Sequence, residues 1–518
     1  MKAQGIRRAL AALVAALIVV PPATAQAPRT TIAVNASTPG AKIDRRIFGQ
    51  FAEHLGSGIY GGIWVGEDSK IPNTNGYRND VVAALKALQV PVVRWPGGCF
   101  ADEYNWREGI GPRPSRPVKI NTNWGGVTED NAFGTNEFMN FAEMIGAETY
   151  VSGNVGNGTP REMAEWVEYM TAPAGSLADL RKANGRAQPW KLTMMGIGNE
   201  LWGCGGNMRA EYAADETRRF STFIKVPAGT KTLKIASGAN STDYNWTEVM
   251  MREARGQFDG IGVHYYTIGA AKWPPAKPAT GFGAFEYANI LKDTLRMEEI
   301  VTKHSAIMDK YDPQKRVILA VDEWGSWYAP TPGSNPGFLV QQNSIRDAIL
   351  AALNFNIFAR HADRVRMANI AQMVNVLQAM IMTDGGKMVL TPTYHAFRMY
   401  IPFQNATFVP VSYDKGEYRE GDIVLPRIDA IAARGTDGHL YLAVTNLDAS
   451  AATDAEFTLG VVAVKSASGE TLTAPAVDSV NTFAKPDLVA PRPIQAKAGK
   501  GKVTVTLPPR SVTVLRVN

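Results

Sequence analysis

Two glutamates stand where apolar stretches run out. Glu200 follows Asn199 in GIGNELWGCGG (residues 196–206), at the end of an apolar run over residues 192–197, and Glu323 follows Asp322 in VILAVDE (residues 317–323). A carboxyl group at the end of a buried strand is partly desolvated, so it can keep its proton near neutral pH. Two carboxyl groups on different strands, facing across one mouth, suit cleavage of the acetal bond between sugars. One must hold a proton for the leaving oxygen while the other stays ionised. Trp202, Trp324 and Trp327 follow the two glutamates and suit a face on which a sugar ring stacks. Competing chemistries lack their residues. None of the six histidines forms an HxxxH or HxxE pair, so neither a metal nor another cofactor is expected. There is no GxSxG elbow and no Walker loop, and neither cysteine has a histidine nearby in sequence.

The elements that must position these groups alternate. Eight short runs read as strands: residues 47–51, 92–95, 149–153, 192–199, 233–238, 260–266, 317–323 and 364–372. Between them, residues 80–88, 135–146, 160–170 and 344–360 show apolar positions at three- and four-residue spacing. Strands too apolar to face water, alternating with helices, predict an α/β fold of (β/α)8 barrel type over residues 45–400. A doubly wound open sheet is the alternative, but the glycines present do not form its phosphate fingerprint. Residues 401–518 change texture: 437–447 and 502–518 alternate with period two, which predicts a C-terminal antiparallel β-sandwich. Residues 26–44 are expected to lend it a strand, and the proline- and lysine-bearing stretch 477–501 reads as a surface loop.

In such a barrel functional groups project from the carboxyl ends of the strands. Those ends deliver Glu53, then Arg94 and Trp95, Asn154, Asn199 with Glu200, His264 with Tyr265 and Tyr266, Asp322 with Glu323, and Asn369 with Gln372. Each has a structural reading as well: a cap or ion pair for a carboxylate, a salt bridge for Arg94, wall packing for the tyrosines, a core hydrogen bond for His264, and core positions for the tryptophans. Their concentration at one rim is what capping and packing do not predict.

Residues 1–25 combine Lys2, Arg7 and Arg8, an apolar run over residues 9–20, and an Ala-Thr-Ala cleavage pattern, which reads as a signal peptide and predicts export to the periplasm or the medium. Removing it leaves 51 lysines and arginines against 48 acidic residues, a balance that argues against a nucleic-acid partner. No later stretch reaches the ~20 apolar residues that would cross a membrane. The two cysteines, Cys99 and Cys204, leave open one disulfide or two buried thiols.

Seven blocks, in order, resemble one family: residues 48–66 (FGQFAEHLGSGIYGGIWVG), 92–117 (VVRWPGGCFADEYNWREGIGPRPSRP), 136–148 (NEFMNFAEMIGAE), 196–203 (GIGNELWG), 262–266 (GVHYY), 321–328 (VDEWGSWY) and 361–381 (HADRVRMANIAQMVNVLQAMI). They are similar to the α-L-arabinofuranosidases of glycoside hydrolase family 51. The resemblance implies an exo-acting, retaining double displacement on terminal arabinofuranosyl groups of hemicellulose or arabinan oligosaccharides, with Glu200 as general acid/base and Glu323 as nucleophile. It implies sugar-binding roles for Glu53, Asn199, Tyr266 and Gln372, a place behind the nucleophile for Arg94, a rim hydrogen bond for His264 and a wall for Trp327. Family members often form hexamers, so a homo-oligomer is implied too. Where many relatives carry PGGN this chain has PGGC, so Cys99 takes a sugar-facing position; with Cys204 in an added loop, the resemblance implies a Cys99–Cys204 disulfide at the pocket floor. Residues 273–285 and 326–338 read as long loops that enclose a single sugar. An endo-glucanase or xylanase on the same scaffold, and a non-catalytic carbohydrate-binding protein, are the alternatives.

Overall fold

The computed structural model describes residues 28–269, 275, 277–460 and 464–518. The expected signal peptide lies outside them. Eight parallel strands close into a barrel: β1 (Gly49–Phe51), β2 (Val92–Trp95), β3 (Glu148–Gly153), β4 (Met194–Ile197), β5 (Leu233–Asn240), β6 (Gly260–Thr267), β7 (Ile318–Ser326) and β8 (Val365–Ala371). Each pairs with its neighbour in sequence, and β8 closes on β1. The expected strands are all present, but three are shorter, the eighth by one residue at each end. Residues Arg45–Phe48 form a 3-10 turn whose start is capped by the Asp44 carboxylate. β4 stops at Ile197 because Gly198, at φ 75°, turns the chain out of the sheet.

Inside the barrel Val92, Tyr150, Met194, Ile235, Ile318, Ala320 and Met367 form one apolar layer, and burying each larger side chain contributes about 1.5–3 kcal/mol. The Tyr150 ring fits there because residue 196 is glycine: a Cβ would stand 2.8 Å from Tyr150 Cε2. The helical patterns became helices with matching signals. Pro160–Thr171 begins at a Thr159–Glu162 capping box, and Thr135–Ile145 ends at left-handed Gly146. Ile345–Arg360 is buried around almost its whole circumference, because it is wedged between the barrel and the β domain; Asn356 and Arg360 reach across to the Asp429 carboxylate.

The β domain packs a five-stranded sheet against a six-stranded one around Ile32, Phe457, Leu442, Val505 and Leu515. The strand Arg29–Val34 belongs to the first sheet, where it runs parallel to Thr453–Thr458 and antiparallel to Val411–Tyr413. Residues 477–501 lie largely at the surface as expected, with 482–488 exposed, but are not one loop. They contain the strands Arg492–Gln495 and Lys497–Gly499, and Val480 bridges to Ser344 at the start of the wedged helix. Buried Asn481 bonds the carbonyls of Leu390 and Val489, so polar side chains satisfied by backbone hold this segment against the barrel.

Candidate active site

The carboxyl ends of the strands open into a cavity of about 630 Å3 whose walls include Glu53, Cys99, Glu200, His264, Tyr266, Glu323, Trp327 and Gln372. Glu323 reaches it through a bulge. Between Val321 and Trp324, β7 carries two residues opposite one on β8, and the pairing with β6 slips at the same place. An extra residue lets consecutive side chains face the same way, so Asp322 and Glu323 both point into the barrel. Trp324 then points outward, fully buried against Phe355, Phe358 and Phe397. This overturns its reading as part of a sugar-stacking face: the bulge that presents the glutamate sends the next residue to the core.

Glu200 sits just past β4 with φ 42°, a left-handed backbone that costs a non-glycine residue about 1–3 kcal/mol. An oxygen of Glu200 and an oxygen of Glu323 lie within 4.8 Å of one another. His264 stands beside both: its Nδ1 is 2.9 Å from Glu200 Oε1 and 3.5 Å from Glu323 Oε2, and its Nε2 is 3.4 Å from Asp322 Oδ1. Tyr150 donates to the other Asp322 oxygen. Arg94 donates to Glu323 Oε2 at 2.8 Å, to the Asp322 carbonyl and to the Asn199 side-chain oxygen. It is 1% exposed and does not line the cavity. Arg94 therefore supports the site from behind rather than contacting a sugar. The Tyr266 hydroxyl donates to Glu323 Oε1 at 2.7 Å, and its ring meets Trp327 edge-on at 4.9 Å.

A further carboxylate, Glu53, lines the same cavity. Glu53 accepts from the Gly98 N–H, the Trp124 indole and the Gln372 amide, each at 2.9 Å. Gly97 must be glycine there, since a Cβ would stand 2.5 Å from Glu53 Cγ. The Cys99 and Cys204 sulfurs are bonded at 2.08 Å, and Cys204 Sγ lies 3.7 Å from Glu200 Oε2. The loops after β6 and β7 touch where described: Arg346 lies over the rings of Phe282 and Tyr328, and the Ala329 N–H donates to the Lys277 carbonyl. Residues 273, 274 and 276 of the first loop lie outside the described residues.

Burial first, and the nearby Glu323 charge second, hold the Glu200 proton above the usual carboxylic range, against the opposing hydrogen bond from His264. Glu53 is pushed up to about 7, again by burial and then by Glu323. Burial opposes charge on His264, but Glu323, Asp322 and Glu200 outweigh it and raise the imidazole to about 10. Asp322 goes the other way, because the His264 bond and charge outweigh its burial.

Other rim residues serve elsewhere. The Trp95 indole donates to His54 Nε2 in the core, Asn154 folds back on its own loop, and Asn369 donates to the Gln50 carbonyl inside the barrel. Tyr265 lines the wall with its hydroxyl bonded to Asp293. Two residues escaped the sequence reading. Trp124 crosses from the tip of a hairpin (Lys119–Asn121, Val127–Glu129) to Glu53; an aromatic before Gly125 and Gly126, both at positive φ, was the available turn signal. Asp102, buried after β2, accepts the N–H groups of Asn199, Val155 and Gly156, and burial pushes it up to about 7. Nothing in its CFADEY context marks it out.

Family models for the α-L-arabinofuranosidase 1 domain and the α-L-arabinofuranosidase C-terminal domain match residues 84–272 and 322–511. The intracellular exo-α-L-arabinofuranosidase of Bacteroides ovatus is 49% identical over 94% of this chain and 95% of its own length. The crystal structure of the GH51 arabinofuranosidase from Xanthomonas axonopodis pv. citri is 57% identical, covers 95% of this chain and all of its own, and superposes with a TM-score of 0.94. The arabinose complex of the Thermotoga maritima α-L-arabinofuranosidase is 29% identical over 94% of this chain and 99% of its own, with a TM-score of 0.81. A bifunctional glucanase–xylanase at 15% identity and a TM-score of 0.60, covering 95% of this chain and 99% of its own, shares the fold alone. The expectation of export is contradicted, since the Bacteroides relative is named an intracellular enzyme; a basic and apolar amino-terminal stretch is a short pattern, easily met without that role. Two matched family models and near full-length similarity lead to one conclusion: the chain belongs to the α-L-arabinofuranosidases of glycoside hydrolase family 51.

Proposed function

We propose that Glu200 and Glu323 are the acid/base and the nucleophile of this arabinofuranosidase, and that its substrates are arabinose-bearing hemicellulose or arabinan oligosaccharides. The observation that carries the reading is the approach of a Glu200 and a Glu323 oxygen to within 4.8 Å. That separation suits direct attack on the anomeric carbon; an intervening water would need roughly 6.5–9.5 Å between the carboxyl groups.

Glu323 attacks the anomeric carbon as the glycosidic bond breaks, and Glu200 gives its proton to the departing oxygen. The charge of Glu323 is consumed in the ester it forms. One of the two causes that hold the Glu200 proton then disappears, so Glu200 becomes a stronger acid and, once ionised, remains the base for the second step. It takes a proton from water, the water oxygen bonds to the anomeric carbon, and Glu323 leaves as a carboxylate with arabinose released. Arg94 and Tyr266 direct three N–H or O–H groups at the Asp322–Glu323 segment and hold the nucleophile in place. Trp124, Trp327, Leu339 and Leu377 give the cavity apolar walls, while Glu53 and Gln372 offer it polar groups.

The test is hydrolysis of 4-nitrophenyl α-L-arabinofuranoside. Glu323→Ala is expected to be inactive. Glu200→Ala is expected to lose about 10²–10⁴-fold in turnover and to recover with azide, which attacks the glycosyl ester in place of water and gives the α-configured azide product. Wild-type turnover in Glu323→Ala would overturn the assignment.

A further inference from the structure

The left-handed Glu200 keeps its conformation only if its surroundings over-determine it. Ser237 Oγ accepts the Leu201 N–H and His264 meets the Glu200 carboxyl, and a further restraint comes from one short element, the 3-10 turn Cys99–Glu103 that follows β2. This turn grips the Glu200 turn at two points. Cys99 is bonded to Cys204 on its far side, and Asp102 Oδ2 accepts the Asn199 N–H at 2.9 Å on its near side. The second Asp102 oxygen accepts from Val155 and Gly156 at 2.9 and 3.0 Å, which ties the loop after β3 into the same knot. Within the turn, the Glu200 carbonyl accepts from the N–H groups of Gly203 and Gly205. Gly205 allows the close approach: a Cβ there would be 2.0 Å from the Asn199 carbonyl oxygen and 2.9 Å from Asp102 Oδ2. Asp102 is 2% exposed and lies outside the cavity lining, so it does not touch substrate.

We infer that Asp102 is a positioning residue for the acid/base: by accepting the Asn199 N–H it fixes the backbone entering Glu200 and aims the Glu200 carboxyl at the glycosidic oxygen. The Cys99–Cys204 bond closes the same clasp from the other end. The inference rests on Glu200 being the acid/base, as proposed above.

A misaimed acid has a kinetic signature that general loss of structure does not produce. Proton donation matters most when the leaving oxygen is basic. Asp102→Asn keeps the shape but turns one acceptor into a donor facing backbone N–H groups. Its kcat/KM on methyl α-L-arabinofuranoside is expected to fall about ten- to a hundredfold, while that on 2,4-dinitrophenyl α-L-arabinofuranoside changes by less than about threefold. Equal losses on both substrates, or none on either, would overturn the inference. Glu200→Ala is run beside it and should show the same leaving-group dependence in stronger form; if it does not, the acid/base assignment itself has failed. If Asp102→Asn loses the wild-type circular dichroism, hydrogen exchange on the unmodified enzyme decides. The Asn199 amide should exchange as slowly as those of β4, and exchange as fast as the exposed Cys204 amide would overturn the clasp.

Discussion

Nδ1 of His264 stands 2.9 Å from Oε1 of Glu200, and the same imidazole is flanked by Asp322 and Glu323. A cation at this point lowers the pKa of the acid beside it, whereas burial and the Glu323 charge raise it. Glu200, the proposed acid/base, is thus tuned from both directions. His264→Gln should remove the lowering influence, so the alkaline limb of kcat/KM on unactivated arabinofuranosides moves to higher pH. A pH–rate profile checks it; an unmoved or lowered limb would count against the arrangement.

The same histidine makes stability depend on pH. Its folded-state pKa of about 10 lies above its ordinary 6.5, so its contribution is fully present below about pH 6.5 and is lost as pH rises through about 10. Denaturant melts of the wild type should lose stability across that window, and His264→Gln should show a shallower slope there. Identical slopes would mean the imidazole is neutral in the native protein.

Gly97 touches Glu53 where a Cβ would intrude to 2.5 Å. Overpacking of this kind costs about 1–3 kcal/mol. Gly97→Ala should raise KM for arabinofuranosides by about ten- to a hundredfold if that cost falls on sugar binding, with the melting temperature less affected than activity. Unchanged KM would remove Glu53 from the binding wall.

The two tryptophans after Glu323 should separate cleanly. Trp324 is fully buried among phenylalanines, so Trp324→Ala should cost about 3–5 kcal/mol of stability. Trp327 lines the cavity beside Tyr266, so Trp327→Ala should raise KM and leave the melting transition near that of the wild type. Reversed outcomes in paired thermal melts and kinetics would contradict the bulge in β7.

Cys99 and Cys204 close a loop of 105 residues. Replacing both with serine should destabilise the enzyme by about 2–4 kcal/mol, measured by denaturant unfolding without reductant. No change in midpoint would show that the bond adds nothing to the folded state.

The sequence by itself determined the barrel, the sandwich and the two glutamates. Apolar periodicity is local, and a carboxyl group that ends a buried strand is visible in any linear reading, so Glu200 and Glu323 stood out with most of their neighbours. Tertiary structure decided what depends on contacts distant along the chain. The bulge in β7 separated Trp324 from Trp327, although both follow Glu323 within four residues. Arg94 went behind the site and Trp124 into it, because strand register and a hairpin, rather than residue type, set where each side chain ends. Val480 and Asn481 dock the otherwise exposed stretch 477–501 on the barrel, through backbone partners that no local pattern encodes. Asp102 lies 97 residues from the amide it holds, and only the pairing of β2, β3 and β4 side by side brings that carboxylate to the Glu200 turn.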